Sequence, residues 1–350
     1  MRRRMIVACI LTALIVAVGF FTSRTTVAAP TLTNPHIVSK HILDEMSIDG
    51  PALYESHGTP FDLIAWTGTD PGHRLNIMYS HTDFVSDRSK RILKETSFAR
   101  PAIVVHDFGP PNVVVSIAWV GTDRQHTLNV LYDALGTLGA PKKLTLWGIN
   151  SFAAPSLAMV PSQANTLILA WTATDTNHTL NIMPITIGAT LKAGAKTTFS
   201  NFHSATGPSL LVDWATSGLL LSWSTFEMHR IAFAISSDGK RFSAPSTSPL
   251  AEWTVSPSSM FGVRIGGSSP EPVVFPGHFV TWAGTDAHHS LNVRYTTTFP
   301  QWGNKATSKT VFGEWCLGGP AIDYGIGAYV VVAWTGTDAA HHINLARIEV

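Results

Sequence analysis

The sequence predicts an all-β fold, a six-bladed β-propeller whose blades have four strands each. One phrase of the form AWTGTDxxHxLNV occurs six times, and the tryptophans that mark its copies follow one another at intervals of about 52 residues. The apolar runs of each copy are short and are bounded by Gly, Pro, Thr or Asp, which favours strands over helices. Repeats of this length with several short strands are typical of propeller blades.

The strands can be assigned in the order in which they occur within one repeat. The first follows a Pro-Ala-Leu-like stretch, the second ends at the repeated tryptophan, the third is the Leu-Asn-Val run and the fourth is a Lys-Thr-Leu-like run. Second strands such as 63–66 and 167–171 are continuously apolar rather than alternating. Such strands are covered on both faces, which is the situation where one sheet packs on the next.

The two ends of the chain predict how the ring closes. The last repeat stops after its third strand, and residues 39–45 near the N-terminus match the fourth-strand sequence at 89–95. We therefore expect the N-terminal strand to complete the sixth blade, so that residues 36–350 form one propeller domain without an open edge strand.

Residues 1–30 have the organisation of a secretory signal peptide. Arg2, Arg3 and Arg4 precede the uncharged run 5–21, and small residues follow at 27–29. The apolar run is close to the shortest length that crosses a bilayer, so an uncleaved N-terminal membrane anchor is the alternative. Either prediction places the domain outside the cytoplasm, secreted or held at the membrane by this segment alone.

Composition limits the partners and the covalent cross-links that are expected. Charged residues make up 13% of the chain, the formal net charge is +1, and no concentrated basic segment is present. A nucleic-acid partner is therefore not expected. The two cysteines are Cys9, in the N-terminal segment, and Cys316, so the domain is predicted to have no internal disulfide.

The polar residues that recur in the repeated phrase are the candidate ligand-binding residues. They are Asp70, His73, Asn76, Asp123, His126, Asn129, Asp175, His178, Asn181, Asp286, His289, Asn292, Asp338, His341 and Asn344.

Three interpretations of these residues are open. The first is structural: the Asp-x-x-His hairpin is a type I turn whose carboxylate accepts backbone N–H bonds, while the Asn satisfies main-chain groups of the neighbouring blade. The second is that each blade carries one weak copy of a carbohydrate site, and that the copies gain affinity through multivalency. The third is a metal site, which the mixture of Asp, Asn and His disfavours, so that we predict neither a metal nor a cofactor.

The tryptophans fall into two groups. Trp66 and its equivalents in the other repeats follow apolar runs, and we expect them to pack between blades. The tryptophans outside the repeat position are candidates for exposed contacts, namely Trp147, Trp214, Trp253, Trp302 and Trp315.

Repeat 4 departs from the common phrase. It has Thr225, Phe226 and Glu227 in place of Gly-Thr-Asp, and Ala232 in place of Asn. The sequence SSDGKRF that follows, at 236–242, resembles the Asp-box turn of sialidases and related propellers. Because an Asp-box is a folding element, this resemblance supports the blade architecture rather than an activity.

With its repeat count and this turn, the chain resembles the sialidase-type and lectin-type propellers. The resemblance implies a catalytic set of three arginines, a Tyr–Glu pair and an Asp for a sialidase, which cannot be assigned to residues here. It implies an Arg, a Glu and a Trp between adjacent blades for a fucose lectin, and no such Arg–Glu pair recurs. No catalytic residues are therefore assigned.

The residues and the resemblance together predict a secreted or surface-anchored, non-enzymatic module. It would bind glycans or a cell-surface polymer through the repeated hairpins. The alternatives are a sialidase-like glycoside hydrolase and a structural or protein-binding propeller.

Overall fold

The computed structural model describes residues 34–54, 61–82, 84–107, 113–134, 141–160, 163, 165–213, 218–246, 252–262, 277–296, 307–324 and 329–349. The signal peptide or anchor predicted for residues 1–30 lies outside these ranges. Within them there is no helix long and apolar enough to cross a bilayer.

The described residues form an all-β structure, as the sequence predicts. The strands are β1 (His36–Met46), β2 (Ala52–Tyr54), β3 (Asp62–Thr67), β4 (Arg74–Ser80), β5 (Arg88–Thr96), β6 (Ala102–Asp107), β7 (Val113–Val120), β8 (Thr127–Ala134), β9 (Lys142–Asn150), β10 (Ser156–Met159), β11 (Thr166–Thr172), β12 (Thr179–Ile187), β13 (Leu191–Ala193), β14 (Thr197–His203), β15 (Ser209–Asp213), β16 (Gly218–Ser224), β17 (Ile231–Ser236), β18 (Ser259–Gly262), β19 (His278–Ala283), β20 (Ser290–Thr296), β21 (Thr307–Tyr324), β22 (Tyr329–Gly336) and β23 (His342–Glu349).

The first four repeats each form a separate antiparallel sheet. Repeats 1 and 2 have the four predicted strands, β2–β5 and β6–β9. In repeat 3 the fourth strand is replaced by two pieces, β13 and β14, which both pair with β12. Repeat 4 has three strands, β15–β17, and its outer edge is continued by isolated bridges from Arg230 to Trp253 and from Phe233 to Ser246.

The Asp-box-like turn precedes this irregular edge of repeat 4. Asp238 Oδ1 accepts the backbone N–H groups of Arg241 and Lys240, each at 2.8 Å, and Gly239 has a φ of 69°. The bonds from Arg241 and Lys240 lower the pKa of Asp238 to about 2. Phe242 then packs edge-on against Phe199 of repeat 3, so the turn anchors the outer edge of repeat 4 on the preceding sheet.

The last two repeats share one seven-stranded sheet in the order β1-β23-β22-β21-β20-β19-β18. The long strand β21 links them, since its residues 307–315 pair with β20 and its residues 316–324 pair with β22. The N-terminal strand β1 pairs antiparallel with the C-terminal strand β23, from His36 opposite Glu349 to Met46 opposite His342. The two ends of the described chain are therefore adjacent.

The first strands of the six repeats all contribute residues to the lining of one cavity of about 230 Å³. They are β2, β6, β10, β15, β18 and the second half of β21. Each of these strands contacts the next along the chain, and β21 contacts β2. Arg100 lies buried at this cavity, where its Nη1 donates to the carbonyls of Gly319 and Pro320 at 3.2 Å each. Burial lowers the pKa of Arg100, and the nearby carboxylate of Asp49 opposes that effect.

The apolar core lies between the sheets. The six repeated tryptophans are each at most 2% exposed, which confirms the prediction that they are buried. The clusters join residues of neighbouring repeats: Leu63 of repeat 1 packs with Trp119 of repeat 2, and Trp66 of repeat 1 packs with Val331 of repeat 6. Close packing of sheet on sheet explains why the second strands are apolar on both faces.

A serine or its equivalent ties each repeat to the next. The N–H of Ser97 donates to the carbonyl of His73 in the hairpin of repeat 1, at 2.9 Å. Its hydroxyl lies 2.7 Å from the carbonyl of Ala99 and 3.2 Å from that of Val120, in repeat 2. Residues with the same backbone bond to the preceding hairpin are Ser47, Ser151, Ser204, Thr254 and Cys316. Cys316 is buried, and burial raises the pKa of its thiol.

Candidate functional site

The Asp-x-x-His hairpin is closed by a backbone bond from the His N–H to the Asp carbonyl. This distance is 2.8 Å from His73 to Asp70 and 2.9 Å from His126 to Asp123. The histidine that follows the turn has a positive φ in every copy: His73, His126, His178, His229, His289 and His341 lie between 48° and 59°. Histidine is among the non-glycine residues enriched in this left-handed region, and a type I turn followed by one left-handed residue makes a stable hairpin. The histidine thus has a backbone role that the sequence did not reveal.

The carboxylate of the repeated aspartate is used inside its own turn. Asp123 accepts the N–H groups of Gln125 at 3.0 Å and Thr127 at 3.1 Å, together with the Thr127 hydroxyl at 2.9 Å. Burial raises the pKa of Asp123, but the bonds from Thr127 and Gln125 outweigh it, so the pKa lies below its ordinary value. The same balance lowers the pKa of Asp70, Asp286 and Asp338.

The repeated asparagine also acts within its own hairpin. The Nδ2 of Asn129 donates to the carbonyl of Thr127 at 2.9 Å, and its Oδ1 accepts the hydroxyl of Thr145 at 2.8 Å. Asn76, Asn181, Asn292 and Asn344 make the equivalent bond to the carbonyl two residues earlier. The prediction that these side chains bond the neighbouring blade is therefore wrong, because the bulged fourth strand brings partners from the same sheet.

Two of the repeated histidine side chains, those of His126 and His178, lie beside exposed aromatic residues of the preceding link. The ring of His126 stacks on Phe98 at a centroid distance of 4.0 Å, and that of His178 stacks on Phe152 at 3.9 Å. His73 and His341 are half-buried and His289 is exposed.

A charged cluster that the sequence did not predict recurs between neighbouring repeats. In it, a Glu of one repeat pairs with a Lys of the next, and the Lys ammonium lies 5.2–5.4 Å from the centre of the buried tryptophan ring. We call it the Glu–Lys–Trp cluster. In the described residues it occurs as Glu314–Lys40–Trp334, Glu45–Lys90–Trp66, Glu95–Lys143–Trp119 and Glu252–Lys309–Trp282.

The signal for this cluster is a glutamate two residues before the link serine. Where that residue is apolar, the cluster is replaced by a hydrophobic contact. Phe202 of repeat 3 stacks on Trp223 of repeat 4 at 4.8 Å, and Ile149 of repeat 2 packs in the cluster that holds Trp171 of repeat 3. The residue at this position thus decides the chemistry of the junction.

At the junction of repeats 4 and 5 an arginine joins the charged cluster. Arg294 Nη1 lies 3.5 Å from Glu252 Oε1, and Lys309 Nζ lies 2.6 Å from Glu252 Oε2. Burial lowers the pKa of Arg294, and the charge of Glu252 opposes that effect. An Arg–Glu pair beside a tryptophan is therefore present at this junction.

The junction of repeats 1 and 2 opens into a groove, which we call the first groove. It is lined by Lys94, Glu95, Thr96, Trp119, Gly121, Thr122, Asp123, Arg124, Gln125, Thr127, Asn129, Lys143, Thr145 and Trp147. The first groove brings two predicted site residues, Asp123 and Asn129, together with the Glu–Lys pair and an exposed tryptophan. Trp147 is 81% exposed, and Trp253 and Trp315 are about half as exposed, as expected for contact residues. Trp214 and Trp302 lie outside the described residues.

No protein-family model and no curated protein matches this sequence. Solved structures are similar in fold. A microbial sialidase named Hz136 is 13% identical, with a TM-score of 0.57 over 87% of this chain and 65% of its own. The BP39L lectin from Burkholderia pseudomallei is 13% identical, with a TM-score of 0.56 over 86% of this chain and 81% of its own. The Aleuria aurantia lectin, described as a six-bladed β-propeller that recognises fucose, is 10% identical, with a TM-score of 0.54 over 84% and 90%.

At these identities the comparisons establish fold and nothing finer. The chain has an all-β, propeller-type fold similar to that of lectins and a sialidase, as its sequence predicts. Its repeated polar residues form hairpins at the edges of junctions, of which the first groove is a described example.

Proposed function

We propose that the chain is a six-bladed β-propeller, closed by β1, which binds carbohydrate without catalysis in the grooves between neighbouring blades, outside the cytoplasm. The observation that carries this proposal is the recurrence of the Glu–Lys–Trp cluster at four junctions of the described structure, each next to an Asp-x-x-His hairpin or its equivalent. Repeated, similar sites suit a binding module, because multivalency strengthens weak sites.

The closed ring is supported by contacts that join repeat 6 to repeat 1. The hydroxyl of Thr335 donates to the carbonyl of Asp49 at 2.7 Å, and the N–H of Ser47 donates to the carbonyl of His341 at 3.1 Å. The shared core of Trp66 and Val331 lies at the same junction. Closure removes the gap that an open ring would leave between repeats 6 and 1, so that the sheet edges that remain on the outside are the outer strands of the repeats, such as β5 and β9.

The chemistry of the junction is suited to sugar hydroxyls. A carboxylate accepts hydrogen bonds and an ammonium donates them, so a Glu–Lys pair can bind a hydroxyl that does both. At the first groove the side chains of Glu95 and Lys143 are 25% and 39% exposed, so a ligand can reach them. The hairpin of repeat 2 forms one wall of the first groove. Its residues Asp123 and Asn129 can accept further hydrogen bonds from a ligand through lone pairs that the turn leaves free.

The hydrolase alternative has less support. A sialidase-like site would need a pair of carboxylates near the axis. Of the described residues that line the cavity at the first strands, Asp323 is the one carboxylate.

The proposal is tested by screening the purified protein on a glycan array and titrating each hit by calorimetry. We expect up to four similar, weak sites per chain. Glu45→Gln and Glu95→Gln should each lower the stoichiometry by one site. Glu227→Gln, in an exposed hairpin position outside the clusters, is the matched control and should change nothing.

Two results would contradict the proposal. Binding that keeps its full stoichiometry in both cluster variants would place the sites elsewhere. No binding to any glycan would favour a structural or protein-binding propeller. Export is tested separately, by digestion of the protein with protease added to intact cells, where protection would exclude an external location.

A further inference from the structure

We infer that the first groove is specialised for an acidic saccharide, with one sugar ring lying on Trp147 and its negative charges bound by Lys94 and Arg124. The inference rests on the proposed carbohydrate-binding function. It adds the class of ligand and identifies one groove that differs from the other junctions.

The first groove contains an extra residue in its bulged strand. Asn129 and Thr127 of β8 are two residues apart, but their ladder partners in β9 are Thr145 and Asn150, so β9 advances five residues between these two pairs. At the corresponding place in repeat 1, strand β5 advances four residues, from Ile92 to Thr96. The corresponding advances of β1 and β21 are also four residues. Strand β14 of repeat 3 also advances five residues, from Thr198 to His203, so the longer bulge is shared by repeats 2 and 3 and is absent from β1, β5 and β21.

The extra length displays Trp147. Gly148 follows it with a φ of 76°, a conformation that glycine adopts without strain, and a Cβ at this position would meet no atom within 4 Å. Trp147 is 81% exposed, in contrast to the fully buried Trp119 of the same groove. A large apolar ring held in water has no role in the core, and its face is suited to the apolar side of a sugar ring.

Two cations line the same groove as Trp147 and have no carboxylate partner in the described structure. Lys94 and Arg124 are exposed residues of the groove lining, and no ion pair within the described ranges includes either of them. Lys143, by comparison, is paired with Glu95. The carboxylate of Asp123 is already bonded to Gln125 and Thr127 of its own turn. The charged side chains that line the first groove are three cations, Lys94, Arg124 and Lys143, and two carboxylates, Glu95 and Asp123, so that their net charge is +1.

These cations are absent from the equivalent positions of other clusters. The residue before the glutamate is Asp44 in the cluster of Glu45 and Gly313 in that of Glu314. The residue equivalent to Arg124 is Pro71 in repeat 1 and Ala339 in repeat 6. The aromatic ring and both cations thus depart from the repeat at the same groove. A sugar with a carboxylate combines the two features that these residues recognise.

The inference is tested by calorimetry of the full-length protein with an oligomer of galacturonic acid and with the methyl ester of the same oligomer. We expect the acid to bind about tenfold more tightly or better, with an advantage that decreases as salt is raised. Lys94→Gln combined with Arg124→Gln should remove that advantage and leave the affinity for the ester unchanged. Trp147→Ala should weaken both oligomers by about tenfold, and Trp147→Tyr should keep most of the binding.

Lys192→Gln is the matched control, because Lys192 is an exposed lysine of β13 outside the groove. All three groove residues are exposed, so thermal unfolding should report unchanged folding in each variant. Equal affinity for acid and ester, or acid binding that survives the double variant, would overturn the inference and leave the proposed function standing. Array binding of neutral glycans without binding of either oligomer would do the same. No binding to any saccharide would overturn the proposed function itself.

Discussion

The junction of repeats 1 and 2 and the junction of repeats 3 and 4 use the same backbone for different purposes. At the first, Glu95 and Lys143 form an ion pair above the buried Trp119. At the second, Phe202 occupies the position of the glutamate, is 7% exposed and stacks directly on Trp223. One junction has a polar opening between its sheets, and the other is filled by aromatic rings.

This difference shows that one residue position separates a junction that holds a charged pair from a junction that is filled by aromatic rings. The position lies two residues before the link serine, on the fourth strand, next to the tryptophan of the following repeat. An ion pair that is partly exposed contributes little to folding, whereas a buried aromatic pair contributes through area and dispersion. We therefore expect substitutions at the aromatic junction mainly to lower stability, and substitutions at the charged junction mainly to lower the proposed glycan binding.

The largest effect on stability is expected at the aromatic junction. Phe202→Ala should lower the free energy of unfolding by about 3–5 kcal/mol, because a cavity would remain beside Trp223. Urea denaturation followed by tryptophan fluorescence measures this loss. Phe226→Ala, at a 40% exposed phenylalanine, is the control and should cost less than about 1 kcal/mol. Similar losses of unfolding free energy for the two variants would mean that the packing of Phe202 does not stabilise the junction.

An intermediate effect is expected at the hairpin beside the charged junction. Asp123→Ala removes the acceptor of the turn bonds from Gln125 and Thr127 and should cost about 1–2 kcal/mol. Chemical denaturation again gives the value. Asp44→Ala, at an exposed aspartate of β1, is the matched control, and a loss as large as that of Asp123→Ala would argue against turn chemistry.

The same carboxylates predict a loss of stability in acid. The pKa of Asp70, Asp123, Asp286 and Asp338 is lowered in the folded state by turn hydrogen bonds that outweigh burial. Their stabilisation is complete above the unfolded pKa of about 3.9 and is lost as the pH falls through the lower folded pKa. The urea midpoint should fall below about pH 4. Asp123→Asn should reduce the acid-dependent part, and an unchanged pH profile would contradict this account.

The smallest effect on stability is expected for the ion pair itself. Glu95→Gln should change the free energy of unfolding by less than about 1 kcal/mol, since both side chains are partly exposed. The same variant should lose one glycan site in calorimetry. Lys143→Gln is the reciprocal variant. If either destabilised the protein as strongly as Phe202→Ala, the contrast between the two junctions would not hold.

The features that depend on the local sequence pattern could be predicted from the sequence. The short apolar runs gave the strands, the recurring tryptophans proved buried, and the Asp-x-x-His phrase proved to be a turn closed by its aspartate. The Glu–Lys–Trp cluster was missed because its charged partners belong to different repeats, such as Glu95 and Lys143. The left-handed histidines were missed because a residue pattern does not state φ. The S-x-x-x-P pattern of Ser47, Ser97 and Ser151, with a glutamate two residues earlier in two of these copies, was the available signal.

The pairing of β1 with β23 has a consequence for the order of folding. Among the described strands β1 is synthesised first, and the strand that completes its ladder, β23, is synthesised after all the others. Contacts between such distant segments close a longer loop than any other strand pairing of the described residues, and they therefore form slowly. Until then β1 and β22 both lack β23, the strand that lies between them, and their exposed edges can pair with other chains. The protein is thus most vulnerable to aggregation until β23 has been synthesised, and a chain truncated before β23 would retain that vulnerability permanently.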